Sequence, residues 1–412
     1  MATLIMKKST LFSVILCHFI AASATLGIAP FFSIILDKNF QLSHSPLVGF
    51  LYVLPTLLTA IASPFWGKIS DKINKKSALL RAQLGLSISF LIVAFSSGYL
   101  SLFILSLCLQ GLLGGTLAAA NAYLATTSHR QQLSQLLNLT QFSARAAFLI
   151  AQYLLVFLIN LFSPLSVYFL LALITFISAI IIYFYVPKDK DKDKNKNYDH
   201  DKITPNSKPQ SIDAAINILP YYCLLAASFV FNFSTVISFP YFITLLQAHF
   251  NVHSGLILGL LFGLPHAVYL ISIFSLQKYR QQPSQQPWIF TGALILLAFS
   301  LYWQCVTTGF FTLIILRIVM GAAITLGFIS LNRMIATLKL QQQEGKVFGW
   351  LDSISKWAGV CAGLIAGFSY QFLGITAPFI ISSFILLIAA FSLIIYLCKR
   401  QYTVTRSYHA KS

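Results

Sequence analysis

The sequence predicts an all-α membrane protein in which twelve transmembrane helices form two six-helix bundles. Three observations carry this prediction: an apolar composition, twelve apolar runs of membrane-spanning length, and an internal repeat that divides the runs into two sets of six. Of the 412 residues, 57% are hydrophobic and only 9% are charged. Because a soluble domain carries about 25% charged residues, this chain lacks the polar surface that water requires.

The apolar runs are long enough to cross a bilayer, which takes about 20 residues per helix. They are continuous and do not alternate, which disfavours a β-barrel, and the backbone of each must satisfy its own hydrogen bonds in lipid. We therefore predict a helix in each run. The runs lie at 10–36, 46–66, 78–98, 101–127, 134–161, 166–186, 214–247, 254–276, 287–307, 310–336, 346–373 and 376–398.

The distribution of Lys and Arg predicts the orientation of the chain. With the N-terminus placed in the cytoplasm, the loops on the opposite side receive Lys38 alone, and the other loop lysines and arginines face the cytoplasm. The sequence therefore predicts a multi-pass protein of a bacterial inner (cell) membrane with both termini cytoplasmic. The net charge of +18 lies in these short loops, so we expect no nucleic-acid partner.

The predicted organisation is two bundles joined by a polar linker, with a short tail. The linker alternates Lys with Asp and has no apolar core. Asp199, His200 and Asp201 could ligate a metal there, but polar runs of this kind are usually only solvated, so we predict no metal and no cofactor. The boundaries are 1–186 for the N-terminal bundle, 187–212 for the linker, 213–398 for the C-terminal bundle and 399–412 for the cytoplasmic tail.

An internal repeat relates the two halves at an offset of 210 positions. Phe40 matches Phe250, Pro55 matches Pro265, and Gly111 matches Gly321. A constant register over several helices is typical of transporters whose two halves move about a site near the membrane midplane.

The loop after the second run reads Gly-Lys-Ile-Ser-Asp-Lys-Ile-Asn-Lys-Lys over 67–76. It resembles the G-x-L-x-D-R-x-G-R-K motif between the second and third helices of the major facilitator superfamily. Together with the twelve runs, the chain resembles the drug:proton antiporter and siderophore-exporter branch of that family. The resemblance implies a secondary transporter, without ATP hydrolysis or other enzymatic activity.

The motif has a physical interpretation as a cytoplasmic gate. Gly67 would let the second and eleventh helices approach closely, and Asp71 could cap a helix N-terminus or pair with a basic residue. The basic residues that complete the gate are Lys72, Lys75 and Lys76. Asn74 replaces the usual Gly, and we expect it in a left-handed turn because Asn tolerates that conformation.

Two departures from the family put ordinary drug antiport in doubt. Leu107 occupies the position where the fourth helix often carries Arg, and its counterpart in the second half is Arg317. The fifth helix also lacks the G-P-x-x-G-G run of antiporters. In the eleventh helix, Gly359, Gly363 and Gly367 recur at a spacing of four, which predicts a close-packing face.

Charged side chains inside apolar runs cost about 2.5–3.5 kcal/mol each on insertion scales and are usually functional. Arg145, Arg317 and Lys356 are such residues, and Arg145 falls beside Lys356 when the halves are superimposed. Two matching cations predict recognition of an anionic substrate from both halves, and Arg145, Arg317 and Lys356 are the predicted substrate-binding residues. The alternative is structural, because Asp352 lies four residues before Lys356 and could pair with it.

Proton coupling requires a titratable group inside the membrane. Asp352 is the clear intramembrane carboxylate, and His18 and His266 are further candidates because histidine titrates near neutral pH. A lone histidine in a membrane helix is more often a packing or hydrogen-bonding residue, so both interpretations stay open.

The sequence thus predicts a monomeric exporter of a small organic solute, a drug-like compound or a carboxylate metabolite such as a siderophore, coupled to protons in the lipid bilayer. The alternatives are an importer of a siderophore or organic anion, and a non-transporting membrane receptor.

Overall fold

The computed structural model describes residues 8–28, 32–41, 47–128, 130–188, 219–278, 282–338 and 343–409. In these ranges the regular structure is entirely helical, with a 3-10 turn at Pro283–Gln285. The α-helices are α1 Lys8–Ile28, α2 Phe32–Phe40, α3 Leu47–Lys72, α4 Lys75–Ala94, α5 Leu100–Leu113, α6 Thr116–Thr127, α7 Arg130–Leu161, α8 Pro164–Tyr185, α9 Tyr221–Val236, α10 Phe239–Phe250, α11 Gly255–Leu276, α12 Gln286–Val306, α13 Phe310–Ala336, α14 Glu344–Leu373 and α15 Ala377–His409.

Each predicted apolar run falls on one of these helices or on a consecutive pair, which confirms the all-α membrane prediction. Within the described ranges, ten helical segments are long and apolar enough to cross a membrane. The helices α3 and α14 are not among the ten; α3 carries Lys68, Asp71 and Lys72 of the 67–76 motif, and α14 carries Asp352 and Lys356. The chain is a multi-pass membrane protein.

The repeat is visible in the way the helices pack. A Cβ on Gly111 in α5 would lie 2.6 Å from the Pro55 carbonyl oxygen in α3, and a Cβ on Gly321 in α13 would lie 2.9 Å from the Pro265 carbonyl oxygen in α11. In each half, therefore, a glycine lets one helix approach the carbonyl of a proline-bearing helix. The short helices α2, from Phe32, and α10, from Phe239, also lie at nearly corresponding places in the two halves.

The predicted run 101–127 is divided between α5 and α6 by Gly114 and Gly115. Gly115 has φ +79°, in the left-handed region that favours glycine. The carbonyls at the end of α5 are satisfied from neighbouring helices, since Trp66 Nε1 donates to Leu112 O at 2.7 Å and Arg81 donates to Leu113 O at 2.8 Å. The equivalent α13 runs without a break.

Buried apolar clusters follow the two halves closely. Two clusters are built only from residues between Val14 and Val186. The largest cluster is drawn mainly from α9 to α15, and it also includes Ala122, Leu133 and Leu137 from the first half. The predicted linker 187–212, with its Asp199–Asp201 segment, lies almost wholly outside the described residues, and the domain boundaries stay predictions.

Candidate functional site

A central cavity of about 400 Å³ lies between the two halves. Its volume is in the range of small-molecule sites, about 300–1,000 Å³. Helices α1, α3, α6 and α7 line it from the first half, and α9, α10, α11, α13 and α14 line it from the second. The charged residues in the lining are Arg145, Asp352 and Lys356, beside His266, and the polar residues include Asn121, Gln141, Asn232, Asn332 and Ser355.

Arg145, in α7, projects into the wall of the central cavity. Its Nη1 lies 2.7 Å from Nδ1 of His266, in α11. The guanidinium carbon is 4.5 Å from the ring centre of Tyr269 and 4.7 Å from that of Phe328, in cation–π range. Its Nε has no hydrogen-bond partner. Among the described residues, no carboxylate neutralises the charge of Arg145.

Lys356, in α14, lines the same cavity from the second half. The structure places no hydrogen-bond partner or ion-pair partner from the described ranges on its ammonium group. The alternative pairing with Asp352 is not formed, because the Asp352 carboxylate instead accepts a hydrogen bond of 2.6 Å from Ser63 Oγ in α3. Asp352 is buried and Lys356 is half-buried, so these two charged side chains, one turn apart on α14, lie in different surroundings.

Arg317 lies outside the lining of the central cavity and is fully buried. Its Nε donates to Leu261 O at 3.0 Å and its Nη2 donates to Phe262 O at 2.8 Å. The Leu261 carbonyl is open because Pro265, four residues later, has no N–H to donate. The guanidinium also lies 3.8 Å from the Phe242 ring centre. This geometry places Arg317 in the helix scaffold, apart from the substrate contacts predicted for it.

The two histidines differ in position. His266 lines the cavity, with its ring centre 5.0 Å from that of Phe148 and 5.5 Å from that of Phe239. His18 is buried in α1, outside the cavity lining, and its Nδ1 lies 2.6 Å from Ser143 Oγ. Of the two, only His266 is in a position to meet a solute in this cavity.

Near the C-terminal end of α3, glycine residues let α3 and α14 approach each other closely. A Cβ on Gly67 would overlap the Gly345 carbonyl, and a Cβ on Gly349 would lie 2.6 Å from Ser63 O. This close approach is the one predicted for Gly67, and its partners are glycines at the start of α14. The face predicted at Gly359, Gly363 and Gly367 is not close-packed: a Cβ on either of the first two would have no neighbour within 4 Å, and Gly359 lines the cavity.

Asp71 joins the two helix ends through its carboxylate. The backbone N–H groups of Gly345 and Lys346 donate to it, both at 2.8 Å, and Lys75 forms an ion pair with it. These amides belong to the first turn of α14, where the helix dipole and unpaired N–H groups favour an anion. Asp71 thus makes both contacts that the sequence offered as alternatives.

The remaining motif residues have separate positions. Lys72 is exposed, and Lys76 donates to Tyr183 O at 2.7 Å. Asn74 is not in a left-handed turn: its φ of −156° is extended, and its side chain caps α4 by accepting from Ser77 N at 2.6 Å. The N-cap preference of Asn explains its presence better than tolerance of a turn.

Sequence reasoning missed Ser63 and Asn332, which sit where the halves meet. Asn332 Nδ2, in α13, donates to Asn138 Oδ1, in α7, at 2.8 Å. Asn332 interrupts an apolar span, which was the available signal, whereas a serine such as Ser63 is too common in membrane helices to stand out. In the described part of the chain, no group of three or more His, Cys, Asp or Glu side chains could hold a metal.

A cavity enclosed by two repeated helical halves defines the class of protein as a membrane carrier. The sequence profile of the Major Facilitator Superfamily matches residues 14–304. The chain belongs to this superfamily, a family of transporters, which confirms the predicted family.

Relatives share parts of the sequence. "Multidrug resistance protein MdtG" of Proteus mirabilis (strain HI4320) is 30% identical over 185 residues, 44% of this chain and 46% of the relative. "Staphyloferrin B transporter" of Staphylococcus aureus (strain NCTC 8325 / PS 47) is 33% identical over 138 residues, 33% of each chain. In both, the match spans less than half of the relative's length.

A solved structure matches nearly the whole fold. The human organic anion transporter MFSD10 (TETRAN) superimposes with a TM-score of 0.75, covering 94% of this chain and 99% of that one. Its sequence is 18% identical, so the match concerns the fold alone.

Proposed function

We propose that this chain is a secondary active transporter that carries a small organic anion by alternating access. Its bundles, 1–186 and 213–398, move about the central cavity. The observation that carries the proposal is that Arg145 and Lys356, one from each half, line this cavity without an acidic partner among the described residues.

An uncompensated cation is costly where water is scarce, and its cost falls when a counter-ion binds. Arg145 has a neutral imidazole as its hydrogen-bond partner, and Asp352, the carboxylate in the lining, is held by Ser63. An anionic solute would pair with both cations at once. Phe148, Phe239 and other aromatic rings in the lining would cover its apolar part.

The names of the relatives support a small organic solute. One relative is a staphyloferrin B transporter and another is a multidrug resistance protein. We infer that the solute is a drug-like compound or a carboxylate metabolite such as a siderophore. The resemblance to efflux proteins supports export. We propose that the exporter is a monomer of the bacterial inner (cell) membrane with both termini cytoplasmic. Its energy source is an ion gradient, that of protons.

Asp71 would act as the cytoplasmic gate of this cycle. Its carboxylate holds the first turn of α14 against the end of α3, and Lys75 completes the contact. Release of these charge-assisted hydrogen bonds, each worth about 1.5–3 kcal/mol, would let the two helices separate. Lys72 and Lys76 keep the loop on the cytoplasmic side of the membrane, where loops carry an excess of Lys and Arg.

A second candidate is uptake of an organic anion together with a proton. The contact between Arg145 and His266 favours it, because a titratable ring lies beside the proposed anion-binding cation. A non-transporting receptor is the least supported function, since the cavity is lined from both halves and carries charged side chains from each.

Flux measurements in membrane vesicles of both orientations test the proposal. The probes are 2-naphthoate and benzene-1,3,5-tricarboxylate as anions and ethidium as a cation, each with and without a proton gradient. We expect saturable flux of an anion, and a loss of about tenfold or more in Arg145→Ala and Lys356→Ala, because a hydrogen bond to a charged group is worth about 1.5–3 kcal/mol.

Arg317→Lys is the control, since Arg317 lies outside the cavity, and we expect its folded fraction to keep the affinity of the parent. If Arg145→Ala and Lys356→Ala both carry the anion as well as the parent does, the two-cation site is wrong. The direction of transport follows from which of the two vesicle orientations accumulates the probe.

A further inference from the structure

The bond between Arg145 and His266 fixes the protonation of the imidazole. A guanidinium only donates hydrogen bonds and stays charged, so Nδ1 of His266, at 2.7 Å, must accept. The ring is therefore neutral, with its proton on Nε2. While this contact lasts, Nδ1 has no free lone pair for a second proton.

The charges that act directly on His266 are positive. Arg145 from α7 and Arg317 from α13 both act electrostatically on the ring. The aromatic rings that touch it from α7 and α10 belong to Phe148 and Phe239, which carry no charge. On α11 itself, Tyr269 packs against the guanidinium of Arg145, and α14 brings Lys356 and Asp352 to the same cavity.

Arg145 is able to leave this contact. Its Nε has no hydrogen-bond partner, its charge has no carboxylate among the described residues, and its remaining contacts are ring faces. An anion in the cavity offers the guanidinium charge-assisted hydrogen bonds that are stronger than the bond to a neutral imidazole.

We propose that His266 is the proton-binding residue of the anion site, so that anion and proton bind together. The inference rests on the proposed anion transport. When an anion draws Arg145 away, the N–H···N bond to His266 breaks and N–H···O bonds to the anion form. A hydronium ion that reaches the cavity then gives its proton to the freed lone pair of Nδ1 and leaves as water, and the imidazolium formed adds a further positive charge facing the anion.

The linkage is reciprocal, since a proton on His266 must strengthen anion binding by the factor by which the anion favours the proton. A monoanion and its proton together carry no net charge, so the membrane potential, worth about 2.3 kcal/mol per charge per 100 mV, does no work on the pair. This coupling moves anion and proton in the same direction, so it supports the second candidate function, proton-coupled uptake, over proton-driven export.

The other titratable candidates are placed less well for this role. His18 is outside the cavity lining and bonded to Ser143. Asp352 lines the cavity, but its carboxylate is engaged by Ser63 and is not in contact with either proposed anion-binding cation.

Titration calorimetry on the purified full-length protein tests the inference. The probes are 2-naphthoate and benzene-1,3,5-tricarboxylate, measured between about pH 6 and about pH 8, where histidine titrates, in buffers of different ionisation enthalpy that report proton uptake. For the wild type we expect uptake of about one proton per anion and an affinity that rises by up to about tenfold per pH unit on acidification.

His266→Gln keeps an acceptor for Arg145 but cannot take a proton, and we expect both the proton uptake and the pH dependence to vanish. His18→Gln is the matched control, a buried histidine outside the cavity lining, and it should retain both. If His266→Gln takes up the same proton as the wild type, or if Asp352→Asn alone abolishes the uptake, the inference is overturned while anion binding stands. If neither anion binds at any pH, the proposed anion transport itself fails.

Discussion

The contacts between the two halves include two helix pairs that the repeat relates to each other, and the two pairs are built differently. The pair of α3 and α14 is closed by Gly67, Gly345 and Gly349 and by the carboxylate of Asp71. The pair of α7 and α11 is built from rings and one cation, with Phe142 and Phe274 centred 5.0 Å apart and Arg145 beside His266.

The difference follows from what each contact tolerates. Glycine faces bring backbones so close that one methyl group does not fit, so this contact is either fully made or broken. Aromatic rings pack over a range of angles and distances, and flexible side chains beside them can reorient without separating the helices. The contact between α3 and α14 is therefore suited to act as a two-state gate, and the contact between α7 and α11 is suited to respond gradually to a bound solute.

The largest effect is expected at Gly345. A Cβ there meets Ser70 Oγ and the Gly67 carbonyl, so Gly345→Ala should lower the free energy of unfolding by about 3 kcal/mol, as overpacking does. Thermal unfolding in detergent measures this loss. Gly363→Ala, in the same helix with nothing within 4 Å, is the control and should be neutral or stabilising by up to about 1 kcal/mol. Equal losses of unfolding free energy in Gly345→Ala and Gly363→Ala would mean that alanine destabilises α14 at any position, and that the close contact with α3 is not the cause.

An intermediate effect is expected at Asp71. Asp71→Asn removes the charge that the Gly345 and Lys346 amides and Lys75 share, at a cost of about 1–2 kcal/mol. Hydrogen exchange should become faster in the first turn of α14, because its amides lose their anionic acceptor. Lys72→Gln, which changes the exposed residue next to Asp71, is the control and should leave the exchange of these amides unchanged. An Asp71→Asn protein with the protection of the parent would rule out the gate contact.

The smallest effect is expected in the aromatic pair. Phe274→Leu removes the ring contact with Phe142 and should cost about 0.5–1.5 kcal/mol, the usual range for an aromatic pair. Its unfolding can be compared with that of Phe372→Leu, an exposed phenylalanine in α14. A loss as large as that of Gly345→Ala would remove the distinction between the two inter-half contacts.

Much of the architecture was predictable from the sequence because hydrocarbon requires long apolar runs whose backbone is satisfied internally. The runs, the repeat that aligns Pro55 with Pro265, and the family were all accessible in this way. The close approach at Gly67 was predictable too, since few other residues allow two membrane helices to touch. The break at Gly114 and Gly115 was not, because glycines are common inside membrane helices.

At the site, the sequence by itself determined which side chains were unusual, because a charge in an apolar run is rare whatever it contacts. Only the tertiary structure decided what each one does. It turned Arg317 toward the carbonyl freed by Pro265 and brought Ser63 to Asp352. It also set Arg145 against His266, in the other half of the chain. The physical reason is that a buried charge is defined by its partners, and these partners lie on other helices, where no spacing along the sequence can reveal them.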